Sequence, residues 1–213
     1  MKYLISILCL MLISCSNRQK KNEINGLTID PNIKSEVEKY IIDQAEFESF
    51  SKLMQVYGNS LYLESYENDS LIVSTTDFSR KLPFKSFYLW NKDTLGINGA
   101  YGLFGGTGFY VKITDKKAEL FHMLSSDDFP TYAYKKNDSL IMRLEVPCTD
   151  TKIVLSEIPD STKNQLIYGL VEFKSNNFYS ASGAFREGEE PKKKKTRNNM
   201  KIYFRSGLLK MNE

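Results

Sequence analysis

The chain has 213 residues, 29 of them basic and 26 acidic, with a formal net charge of +3, one histidine and three cysteines. That length suits one ordinary domain with a sizeable core. The near balance of charge gives no reason to expect nucleic acid, and a lone imidazole excludes a histidine-rich zinc site. Aromatic residues reach 13%, supplied by 13 Tyr, 13 Phe and a single Trp, which favours pleated, half-buried β surfaces.

The first element is a targeting segment. Lys2 precedes a run, residues 4–13, that is apolar except for Ser6. Such a run is too short to cross a bilayer and has the build of an export signal. It closes on Leu12-Ile13-Ser14-Cys15, which resembles the lipobox of bacterial lipoproteins. The resemblance covers only residues 1–15. It implies that the Cys15 thiol carries a diacylglycerol, that the chain is cut between Ser14 and Cys15, and that the new amino group is acylated, with palmitate as a typical chain. Two acyl chains would hold the protein by roughly 20 kcal/mol, effectively permanently. The plainer alternative is a cleaved signal in front of a secreted protein. Ser16, where an aspartate would mark inner-membrane retention in the enteric version of the family, implies the outer membrane. No acidic run follows, so the expected location is periplasm-facing. Arg18, Lys20 and Lys21 either attract anionic headgroups, at about 1 kcal/mol each, or form a solvated tether. With Cys9 lost and Cys15 lipidated, Cys148 stands alone, and no internal disulfide is expected.

The chain then divides into a lipidated cysteine and flexible tether over 15–30, a helical segment over 31–57, and an antiparallel β domain over 58–213. Gly26 and Asp30-Pro31 act as breakers in the tether. Val37, Tyr40, Ile41, Gln44 and Ala45 recur at helical spacing after a cap at Asp30-Pro31-Asn32. Their apolar stripe is expected to pack on a sheet. Beyond residue 60 the period becomes two. Phe109, Val111 and Ile113 alternate with Tyr110 and Lys112, while Ile167, Gly169, Val171 and Phe173 share one face, as do Leu140, Met142, Leu144 and Val146. Further strands are expected near 61–66, 71–75, 86–90, 118–123, 131–134, 153–156, 178–182 and 200–205. Asn68-Asp69-Ser70, Lys92-Asp93-Thr94 and Asn137-Asp138-Ser139 read as hairpin reversals. The expected fold is therefore mainly β: an antiparallel two-sheet sandwich with an Ig-like rhythm in its last third, or a lipocalin-like barrel.

The candidate sites are weighed against simpler roles. Gly96, Gly99, Gly102, Gly105, Gly106 and Gly108 crowd one stretch, but no helix or Lys-Ser follows them as a phosphate cradle requires. This stretch reads as a loop, and Tyr101, Phe104 and Phe109 give it a possible binding rim. His122 lies in phase with Leu120 and reads as a packed imidazole. A dyad with Cys148 lacks the helix N-terminus that would activate the thiol. Asp127-Asp128 lacks the alternating ligands of a calcium loop. Lys192, Lys193, Lys194 and Lys195 follow an acidic block and read as a self-screening loop, with polyanion contact as the sharper alternative.

No catalytic residue, metal ligand or cofactor is assigned. The expected protein is a lipid-anchored, non-catalytic envelope component that binds or scaffolds an envelope protein or glycan and has no nucleic-acid partner. The alternatives are a barrel carrying an apolar ligand and a hydrolase with paired carboxylates.

Overall fold

The computed structural model describes residues 24–40, 61–75, 84–102, 105–182 and 191–209. The described residues are mainly β, with one helix and a mixed sheet of twelve strands. The chain enters through β1 (Thr28–Ile29), which pairs in parallel with Val154 and Leu155. Ile24, Leu27 and Ile29 pack against the main core, so the domain begins before residue 30, where the tether was expected to end. Three apolar side chains and a sheet edge to bond account for the difference. Helix α1 (Ile33–Tyr40) follows. The Asp30 carboxylate accepts the Asn32 N–H at 2.9 Å, and the Asp30 carbonyl accepts that of Ile33 at 3.1 Å, satisfying donors that a helix start leaves open. The rest of the expected helical segment, 41–57, lies outside the described residues.

Strands β2 (Leu61–Glu67) and β3 (Ser70–Thr75) form a hairpin. Asn68 and Asp69 turn it with positive φ of 50° and 67°, the two-residue geometry that matches strand twist. A meander follows: β4 (Phe84–Asn91), β5 (Thr94–Tyr101), β6 (Gly106–Ile113) and β7 (Ala118–Ser125), each antiparallel to the next. After the short β8 (Tyr132–Ala133) come β9 (Arg143–Leu155), β10 (Ile167–Ser175), β11 (Phe178–Ser182) and β12 (Lys192–Leu208).

Two long strands join the parts. The first residues of β9 pair with β7 and its later ones with β10. Strand β12 pairs with β11, β2 and β10, and its last two residues run parallel to β4. The pairings thus run β4-β5-β6-β7-β9-β10-β12 and return to β4. Alternation sends Leu95, Ile97, Phe109, Val111, Leu120, Ile153, Val171, Phe173, Met200, Ile202 and Phe204 into one shared core. There Phe109 and Phe204 rings meet at 5.0 Å between centroids, a favourable aromatic separation.

In the first half of β10, Ile167–Val171, both faces are buried. Tyr168 and Leu170 point outward with Val154, and Ile33 and Val37 of α1 cover them. The helix therefore packs on the sheet through Ile33 and Val37, while Ile41, Gln44 and Ala45 of the expected stripe lie outside the described residues.

Four sequence expectations change. The glycine-rich stretch is not a loop between strands: Gly96 and Gly99 lie in β5, and Gly106 and Gly108 in β6. A Cβ at Gly108 would overlap the Gly99 carbonyl and Ala100 Cα, so the two backbones meet at a distance only glycine permits. The strand expected from Leu140 begins instead at Arg143, with Ile141 in an isolated bridge to Tyr132. The expected strand at 153–156 is the continuation of that same β9. The lysine run is not a loop either, because it opens β12 opposite β11.

Candidate functional site

Of the residues singled out from sequence, Cys15 and Phe104 lie outside the described residues. Tyr101 and Phe109 are 1% and 0% exposed. They are core rather than a binding rim, because β5 and β6 carry their rings inward. The lysines alternate across β12, and Lys194 Nζ meets Glu67 at 2.6 Å while Lys195 Nζ meets Asp69 at 3.0 Å. Lys193 donates to the Asp138 carbonyl. The β2-β3 hairpin, distant in sequence, thus supplies carboxylates to Lys194 and Lys195. Four free ammonium groups do not stand in a row.

His122 is fully buried on β7. Its Nε2 lies 2.7 Å from Thr107 Oγ1, and Nδ1 has no hydrogen-bond partner. The rings of Phe173 and Phe178 stand 5.7 Å away. Burial pulls its pKa down to about 3, so the imidazole is neutral and sealed from substrate. Cys148 on β9 donates weakly to the Val146 carbonyl at 3.6 Å. Burial pushes its thiol up to about 12, against a smaller opposing effect of the His122 backbone N–H. A thiol in that state is a poor nucleophile. Asp127 and Asp128 are exposed between β7 and β8, and among the described residues no group of three or more His, Cys, Asp or Glu side chains is placed to hold a metal.

A different constellation emerges on the outer face of β2 and β12. Tyr62, Glu64 and Tyr66 occupy alternate positions of β2 and so share a face. Both phenols turn toward the residue between them: Tyr62 donates to Glu64 Oε1, and Tyr66 to Glu64 Oε2 at 2.9 Å. From β12, Asn199 Nδ2 donates to the same Oε2 at 2.9 Å. These hydrogen bonds, led by that of Tyr62, hold the Glu64 pKa below its ordinary value, and the Glu64 carboxylate in turn raises both tyrosines. Glu64 is therefore an ionised anchor with its lone pairs in use, not a general acid. The two phenols thus reach along the strand from either side to a common acceptor.

Cations flank this clamp. The Arg197 guanidinium lies over the Tyr66 ring, 4.4 Å from its centroid, and Lys201 Nζ lies 5.5 Å from that of Tyr203. Arg197 and Lys174 both bias Tyr66 electrostatically. Farther along the same face Lys34 of α1 stands 5.1 Å from the Tyr168 ring. Tyrosine and cation thus alternate across the outer surface, each pair a modest attraction that fixes the cation's direction. Sequence reasoning missed this face. Its signal was present in Tyr62-Leu63-Glu64-Ser65-Tyr66, whose period of two puts three polar-tipped side chains together.

Comparison of the chain with protein-family models, curated proteins and solved structures gave no match. The site is therefore interpreted from its own geometry.

Proposed function

We propose that the chain is a lipid-anchored envelope protein that binds a partner without chemically transforming it, and that its binding surface is the outer face built from Tyr62, Glu64, Tyr66, Arg197 and Asn199. The observation that carries the binding role is the guanidinium of Arg197, held over Tyr66 beside a carboxylate that three donors already occupy. A side chain fixed in place with donors to spare is suited to recognition. The anchor rests on Leu12-Ile13-Ser14-Cys15, and the outer membrane facing the periplasm is the location we favour. We take the closed circuit of strands as a flattened barrel filled with side chains, in which β9 and β12 pass between the layers. A filled interior weighs against carriage of an apolar ligand, and the occupied state of Glu64 weighs against hydrolysis at this face.

Two measurements test the proposal. The mass of the mature protein extracted from membranes should equal the chain from Cys15 plus its acyl groups, and Cys15→Ser should be released by washing. A Cys15→Ser protein that stays bound would overturn the anchor. Separately, a photoreactive residue at Ser74, cross-strand from Glu64, should give a higher-mass adduct on irradiation of intact cells, whereas one at Asp115 on the β6-β7 turn should not. Adducts from neither position, or equally from both, would remove the binding face.

A further inference from the structure

We infer that the ligand of this face is an acidic glycan, a chain of sugar units bearing carboxylates; this rests on the binding role proposed above. Three features of the face lead there.

The first is an unmatched pair of cations. Arg197 and Lys201 lie on one face of β12 with Asn199 between them, and among the described residues neither forms an ion pair. Each is instead held against a tyrosine ring. The Glu64 carboxylate, which Arg197 influences electrostatically, is already bonded to Tyr62, Tyr66 and Asn199. Glu172 stands cross-strand from Lys201 and tempers its charge, while Lys152, opposite Glu172 on β9, restores the balance. Lys174 is engaged by Asp150 at 2.8 Å. The guanidinium of Arg197 thus remains a planar fork with no carboxylate bonded to it among the described residues, the donor set that a carboxylate accepts in two parallel bonds.

The second is spacing. At ordinary strand rise, four residues set Arg197 and Lys201 about 13 Å apart. One small acid cannot span that interval, but an extended chain with repeating carboxylates can. Alongside the cations on β2 stand Tyr66, cross-strand from Arg197, and Tyr62, cross-strand from Lys201. Aromatic faces accept the C–H faces of sugar rings.

The third is what the sheet denies. Strand β12 is bonded to β2 on one side and to β11 and then β10 on the other, so no long stretch of its backbone is open. An acidic peptide therefore cannot add itself as a further strand. Recognition here must run through side chains over a flat face, which suits a glycan better than a peptide.

The experiment uses full-length protein in detergent micelles, with titration calorimetry against an oligogalacturonate chain, its methyl-esterified counterpart and a poly-glutamate of equal charge. The oligogalacturonate should bind, more weakly as salt rises. The ester and the poly-glutamate should each bind at least tenfold more weakly. Arg197→Gln should lose about tenfold or more in affinity, the scale of one charge-assisted bidentate contact, with an unchanged unfolding midpoint. Tyr62→Phe keeps the ring and should retain most of the affinity. Equal binding of acid and ester, with loss in Tyr62→Ala, would overturn the acidic ligand and leave the face standing. Equal binding of poly-glutamate would overturn the glycan. No binding of any probe, alongside a Ser74 adduct in cells, would overturn the ligand class alone. Undiminished binding by Arg197→Gln and Tyr62→Ala together would remove the face itself.

Discussion

Lowering the pH from 7 to 5 should destabilise this protein through a single side chain. His122 has an ordinary pKa near 6.5 when unfolded, and burial between Phe173 and Phe178 brings it to about 3 in the fold. The unfolded chain therefore binds a proton that the folded one refuses. Stability is complete above about pH 6.5 and falls as pH drops toward 3, because protonation draws the equilibrium toward the unfolded state. At pH 5 the unfolded imidazole is protonated by a factor of about 30, which corresponds to a loss of about 2 kcal/mol relative to pH 7. Asp150, Asp160 and Glu64 have lowered pKa values. Their stabilisation disappears only as pH falls through the ordinary carboxylate range, so the interval between 7 and 5 isolates the histidine. Urea unfolding at pH 7, 6 and 5 should show the loss in the natural chain and a nearly level profile in His122→Gln, whatever that variant's baseline. A level profile in the natural chain, or an equal fall in the variant, would refute the assignment of His122 as a neutral, sealed imidazole.

Cys148 should resist alkylation at pH 8 about 1,000-fold relative to a free cysteine, from its thiolate fraction alone, and react at an ordinary rate once urea unfolds the chain; fast labelling of folded protein would contradict its burial. Gly108→Ala should cost about 2–4 kcal/mol, because the added carbon meets backbone that cannot yield. Gly96→Ala, which meets only the Tyr110 ring at 3.2 Å, should shift stability by no more than about 1 kcal/mol, because removing a strand glycine offsets the small displacement of the ring, and equal losses in thermal unfolding would refute the distinction. Phe109→Ala should lose about 3–5 kcal/mol of stability, as a core aromatic does; an unchanged melting temperature would return Phe109 to the rim of a binding site.

What the sequence disclosed and what it hid have separate physical causes. The β2-β3 hairpin was legible because Asn68 and Asp69 tolerate the positive φ that a tight reversal needs, and β6 because Phe109, Val111 and Ile113 alternate cleanly inward. Strand β5 was hidden because Gly96 and Gly99 signal flexibility locally, whereas both lie in a fully paired strand, with the Tyr110 ring of β6 over Gly96. The start of β12 was hidden because four lysines look solvated until Glu67 and Asp69, more than a hundred residues earlier, supply countercharge. Strand β10 carried the core period on one face, but nothing local announced that α1 would cover the other. The outer-face clamp was half legible: the spacing of Tyr62, Glu64 and Tyr66 follows from strand geometry, while the contribution of Arg197 and Asn199 depends on a register that only long-range pairing sets.

Strand β12 hydrogen-bonds to β2, β4, β10 and β11, so four mates wait on residues 192–208. A chain synthesised from its amino end leaves one edge of each of those strands open until residues 192–208 arrive. Closure across such sequence separation is slow, and unsatisfied edges in that interval invite pairing with the wrong neighbour. For this molecule, the vulnerable period is the wait for its last long strand.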